Sequence, residues 1–129
     1  MPPRPPLTVA DGARCIAREL EAGDIVFALR LLAFTVADVR TRDDFEVTFA
    51  EPPSTGDHQW DTLLAGVFAR EATARGETPP AWTQVPPLDD TWWPEEISDQ
   101  ALRERYIRET PAELAALNIV YPARGLELL

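Results

Sequence analysis

The chain has 129 residues, the length of one domain, and carries 22 acidic against 12 basic side chains, for a formal net charge of −10. Such a field repels phosphate backbones, so direct nucleic-acid binding by the isolated chain is disfavoured and a basic partner is favoured. A single cysteine, Cys15, excludes an intrachain disulfide. No apolar run reaches the length of a membrane span, and Met1 to Pro6 lacks the apolar core of a signal peptide, which together point to a cytoplasmic protein without membrane contact.

Residues 1–7 read as an extended, disordered leader, because four of them are proline. A single helical domain is expected over 8–129. Thr8 caps a first helix, with Asp11 in its first turn, and Val9, Ala13, Ile16, Ala17 and Leu20 form its apolar stripe. Gly23 ends that helix and Asp24 caps a second, running to about Arg40. The link is short enough to predict an antiparallel hairpin. The second helix is apolar on most sides, through Ile25, Val26, Phe27, Leu29, Leu31, Leu32, Phe34, Val36 and Val39. That pattern belongs either at the centre of a core or at an interface, including a homodimer seam.

Residues 43–50 are ambiguous. Phe45, Val47 and Phe49 alternate as in a strand, but Phe45 and Phe49 also share a helical face, and a strand there would lack a partner, so a short helix is favoured. Pro52 to Gly56 is a turn. The strongest helical signal follows, with Trp60, Leu63, Leu64, Val67 and Phe68 at i, i+3, i+4, i+7 and i+8, a cap at Asp57 and a stop at Gly76. Asp61, Arg70, Glu71 and Arg75 are expected on the remaining, solvated surface of this helix. From Thr78 onward, prolines at 79, 80, 86, 87 and 94 forbid a continuous helix and predict an irregular strap bearing Trp82, Trp92 and Trp93. Asp99 to Arg108 reads as a short helix with Leu102, Tyr106 and Ile107 turned inward. Thr110-Pro111-Ala112-Glu113 is a helix start with Thr110 as its cap, and Leu114 and Leu117 as its anchors. An extended segment from Ile119 to Tyr121 follows, and Leu126, Leu128 and Leu129 are expected to dock the C-terminus. The whole predicts an all-α fold: a compact helical domain of about five helices with a Pro/Trp-rich strap and an extended C-terminal segment.

Residues able to do chemistry are sparse. Cys15 and His58 are the only thiol and the only imidazole. A nucleophile–base pair would also need an orienting group and an oxyanion site, and Cys15 beside Ile16 fits packing better. No metal-ligand spacing occurs, and the acidic pairs Asp43-Asp44, Asp89-Asp90 and Glu95-Glu96 suit solvated surface in a chain this acidic. No glycine-rich phosphate loop is present, and Glu104 and Glu109 interrupt Arg103, Arg105 and Arg108. Neither catalysis, a cofactor nor a metal is expected. One constellation stands out: Trp82, Trp92 and Trp93 on a proline-stiffened strap, with Asp89, Asp90, Glu95 and Glu96 around them. Aromatics ringed by acids suit a partner-binding surface, and the alternative is that these tryptophans cover the core beneath a loop.

The chain also resembles a family of small proteins from GC-rich bacteria. The resemblance lies in Leu20-Glu21-Ala22-Gly23-Asp24, Ala28-Leu29-Arg30-Leu31, Glu51 to Asp57 (Glu-Pro-Pro-Ser-Thr-Gly-Asp) and Trp60 to Val67 (Trp-Asp-Thr-Leu-Leu-Ala-Gly-Val). It continues through Pro80-Ala81-Trp82-Thr83, Trp92-Trp93, Thr110 to Leu114 and Asn118-Ile119-Val120, nearly the whole chain after the leader. Over 86–98 the chain is shorter than the family pattern, with Pro94-Glu95 where the family has an aromatic residue after the tryptophan pair. The resemblance implies a non-enzymatic antitoxin-like partner in a two-gene toxin–antitoxin module, beside a basic, nucleotidyltransferase-like toxin. A different role weighed alongside it is that of a DNA-linked transcriptional autoregulator, acting alone or with its partner.

Overall fold

The computed structural model describes residues 4–128, so Leu129 and the first three residues of the expected leader lie outside the described residues. The rest of that leader, residues 4–7, has no regular structure but is tied to the second helix: Arg4 pairs with Asp38 at 2.6 Å, Asp38 also accepts the Leu7 N–H, and Arg42 donates to the Pro6 carbonyl. The fold is all-α. Among the described residues there is no β-strand, only one parallel bridge between Trp92 and Ile119, and no helix is long and apolar enough to cross a membrane.

The first two helices, α1 (Val9–Glu21) and α2 (Ile25–Arg40), pack against each other as the expected hairpin. Thr8 and Asp11 form a reciprocal capping box, satisfying two N–H groups that the helix start would otherwise leave bare. Gly23, at φ +79°, takes the left-handed turn, and the Asp24 N–H returns to the Glu19 carbonyl at 2.9 Å. The Asp24 carboxylate then caps the Phe27 N–H. The helices cross closely, because Gly12 offers no side chain and Thr35 fills the space above it.

Residues 43–50 contain a single helical turn, α3 (Phe45–Thr48), as favoured over a strand. The central helix is α4 (His58–Ala74), capped by Asp57 and followed by Gly76 at φ +78°. Trp60, Leu63, Leu64, Val67 and Phe68 are all buried, together with Val9, Ile16, Leu32, Val36, Val39 and Phe49 from the preceding elements. One residue expected on the solvated face of α4 is inside. Glu71 is only 4% exposed, held by a bidentate ion pair with Arg40 (2.7 and 3.0 Å), which compensates the desolvated carboxylate. Arg40 also grips Glu127 through two bonds, so one guanidinium ties α2, α4 and the C-terminal segment together.

The strap runs from Thr78 through a 3-10 turn at Ala81–Thr83 into α5 (Gln100–Glu109), capped by Asp99. Then come α6 (Ala112–Ala115), with buried Leu114, and a final 3-10 turn at Ala123–Leu126. Three further expectations are corrected here. Ile107 is 57% exposed, because α5 lies on the surface and buries no residue fully. Thr110 does not cap α6: its hydroxyl donates to the Tyr106 carbonyl and accepts from the Tyr121 N–H, leaving Pro111 at the cap position. Leu126 docks fully, but Leu128 is 45% exposed.

Candidate functional site

The outward face of α2 is the largest break in the usual apolar-in, polar-out arrangement. Ala28, Leu29, Leu32, Val36 and Val39 point into the core, while Val26 is 71%, Phe27 40% and Phe34 38% exposed. Val26, Arg30 and Phe34 follow one another at i, i+4 and i+8, which sets them in one row along the helix. The C-terminal segment supplies the opposite wall. Together they enclose an open groove of about 510 Å³, lined by Val26, Leu29, Arg30, Ala33 and Phe34 on one side and Glu95, Tyr121, Gly125, Glu127 and Leu128 on the other.

The walls are held from behind. Glu127 is fixed by Arg40, and that guanidinium holds the Glu127 carboxyl below the usual range. The Tyr121 hydroxyl donates to the Gly125 carbonyl, and burial pushes its pKa up. A side chain on Gly125 would collide with the Tyr121 ring, so the glycine permits that wall to close. Glu95 accepts from the Tyr106 hydroxyl, whose pKa is pushed up to about 12, chiefly by burial and then by the carboxylate itself. The groove is therefore largely preformed, with apolar walls and three charged residues.

The seven residues singled out on the strap are not gathered into one hollow. Trp82 and Trp92 are half-buried and pack against the core: the Trp82 indole donates to the Phe49 carbonyl at 2.8 Å, and Trp92 meets Trp60 edge to face at 6.1 Å. Trp93 lies in a stack, near-parallel to Tyr106 (6.5 Å, 15°) with the Arg103 guanidinium 4.1 Å from its ring centroid. Asp89, Asp90 and Glu96 are exposed, and Glu95 alone of the seven lines the α2 groove.

No protein-family model, curated protein or solved structure matches this chain. Cys15 is half-buried on α1, with Arg18 3.9 Å from its sulfur, and His58 is exposed at the first turn of α4. Asp44 is occupied by Arg42 and Thr48. Among the described residues no three His, Cys, Asp or Glu side chains cluster to hold a metal ion.

Of the residues that the sequence singles out as a partner-binding surface, only Glu95 lies in this groove. The apolar surplus of α2 was visible, but it left core and interface equally open. Glu95 stands out only as part of the strap and Leu128 only as a docking residue, while Tyr121 and Glu127 carry no local signal, because their place beside α2 is set by contacts such as Arg40 with Glu127, 87 residues apart.

Proposed function

We propose that this chain is an antitoxin-like interaction protein of the cytoplasm, which binds and neutralises a cognate basic toxin of the nucleotidyltransferase-like kind. The observation that carries the reading is the exposed row of Val26 and Phe34 on α2 facing Leu128 across a preformed groove. Exposed apolar side chains beside a few charged ones, here Arg30, Glu95 and Glu127, are a recurrent mark of a protein-binding site. The charge of −10 favours a basic partner, and an enzyme acting on RNA presents a basic groove that an acidic protein can occlude. The family resemblance described above agrees with both. Contact with promoter DNA, if the module regulates itself, falls to the complex, because the field of the isolated chain opposes it.

The test is co-expression with the product of the adjacent gene, followed by capture, light scattering and a toxicity assay. Capture and loss of toxicity are expected for the native chain. Phe34→Glu should lower stability by no more than about 1–2 kcal/mol, since the side chain is 38% exposed, and weaken the complex by about 30-fold or more. Undiminished affinity in the folded variant would remove α2 from the interface. Failure of the native chain to capture or neutralise the partner would overturn the antitoxin reading. A doubled mass for the chain alone, abolished by Phe34→Glu, would assign the groove to a second copy instead.

A further inference from the structure

A second hollow shares no lining residue with the α2 groove. It measures about 380 Å³ and is walled by Pro52, Pro53, Leu64, Trp82, Val85 and Pro86, a size and an apolar lining typical of small-ligand sites. Its ionisable residues are Glu51, His58 and Asp61. No arginine lines it and the chain has no lysine, whereas the α2 groove holds Arg30 and the hollow beside Glu71 holds Arg40 and Arg75. Two carboxylates and one imidazole thus border apolar walls, with no arginine or lysine among them.

The walls are rigid. Three are proline rings, and the Trp82 indole is oriented by its bond to the Phe49 carbonyl. Asp61 is fixed by three donors: the Ser54 hydroxyl at 2.6 Å, the Thr55 N–H at 2.8 Å and the Thr55 hydroxyl at 2.7 Å. The start of α4 lies in the lining, and a helix N-terminus favours anions by about half a positive charge. That half charge is already answered. Asp57 caps the Trp60 N–H and Asp61 sits in the first turn, and Glu51 adds a third carboxylate against the single imidazole of His58.

We propose that this pocket accepts an arginine side chain presented by a protein partner. A planar, weakly hydrated guanidinium can lie against an indole and proline rings while its N–H groups reach a carboxylate. A compact, strongly hydrated ammonium loses more on entering such a hollow. The pocket would act as a specificity socket, reading one basic side chain. It does not depend on the antitoxin reading, because it is tested on the isolated chain with a small probe.

The experiment is a titration of the 15N-labelled protein with N-acetyl-arginine amide, followed by NMR, with the lysine and citrulline amides as controls. Citrulline keeps the shape of arginine but lacks its charge. Arginine should give saturable shifts confined to Thr62, Leu64, Val85 and the Trp82 indole, with a Kd on the order of 1–10 mM for so small a ligand. Glu51→Gln, a change at an exposed side chain, should raise that Kd at least about threefold. Equal shifts with citrulline would show an apolar hollow without charge recognition. Shifts spread over the acidic surface, or failing to saturate, would show no site. Equal affinity for lysine would overturn the guanidinium assignment.

Discussion

At Gly12 the packing of α1 on α2 is decided by a missing side chain. A Cβ there would lie 2.3 Å from the Thr35 hydroxyl and 2.4 Å from its methyl carbon. Thr35 cannot easily turn away, because it is buried and its hydroxyl donates to the Leu31 carbonyl at 2.8 Å. Alanine would improve helix propensity by about 1 kcal/mol, but overpacking in a close crossing costs about 1–3 kcal/mol. Gly12→Ala is therefore expected to destabilise the fold by about 1–2 kcal/mol in urea unfolding. Thr35→Ala removes the two nearest atoms, so the double variant should be more stable than the sum of the single changes by about 1 kcal/mol. Strict additivity would mean that the cost of Gly12→Ala does not arise against the Thr35 side chain. The same scale explains Glu71. Its charge suggests solvent, but it stands three residues after Phe68 and four after Val67, within the buried stripe of α4, and the ion pairs with Arg40, thirty-one residues away, and with its neighbour Arg70 make that burial tolerable.

At the scale of elements, α5 differs from its neighbours. It buries no residue fully and is attached by the Trp93–Tyr106 stack, by Arg103 donating to the Ile97 carbonyl, and by Arg124 pairing with Glu109. Helices held by few buried apolar contacts open locally at lower free energy than those of the core. Amides of α5 should therefore exchange with deuterium well before those of Leu63 to Phe68 in α4, and Trp93→Ala should speed exchange in α5 without changing α4. Uniform exchange across both helices would show that α5 unfolds only with the whole molecule. The legibility of the elements follows the same division between local and distant interactions. Thr8, Asp24 and Asp57 announce helix starts because a cap bonds within three residues, and the structure has every one of them, while Asp99, read as the first residue of its helix, is its cap. Thr110 has the same local pattern and fails, since its hydroxyl is drawn to Tyr106 and Tyr121. Ile107 fails for a related reason: its helix has an apolar side, but the aromatic stack, not that side, attaches it. In the candidate site, the surplus of apolar residues on α2 is readable, while of the wall opposite only Glu95 and Leu128 stand out in the sequence, and nothing there joins them to α2.

At the scale of the molecule, stability should form a plateau in pH with different residues at its two edges. On the acid side, Arg40 holds Glu127 below its ordinary range, Arg42 and Thr48 do so for Asp44, and the Thr8 N–H does so for Asp11. A carboxyl depressed in the native state contributes fully above the unfolded value of about 4, and that contribution is lost as pH falls through the native value. On the alkaline side the sign reverses for tyrosine. Tyr106 is raised to about 12 by burial and by Glu95, and Tyr121 is raised by burial, so the native state resists deprotonation. Their contribution is complete below the unfolded value of about 10 and is lost as pH climbs beyond it. The urea midpoint should therefore be level between about pH 5 and pH 9.5 and fall on either side. The acid edge should be shallow, because these carboxylates are solvent-screened. Glu127→Gln should flatten part of the acid edge and leave the alkaline edge alone, whereas Tyr106→Phe should do the reverse. An acid edge unchanged by Glu127→Gln would mean that Arg40 spends its charge on Glu71 alone. The C-terminal wall of the α2 groove would then need another anchor, and the two halves of the groove would no longer be coupled through a single guanidinium.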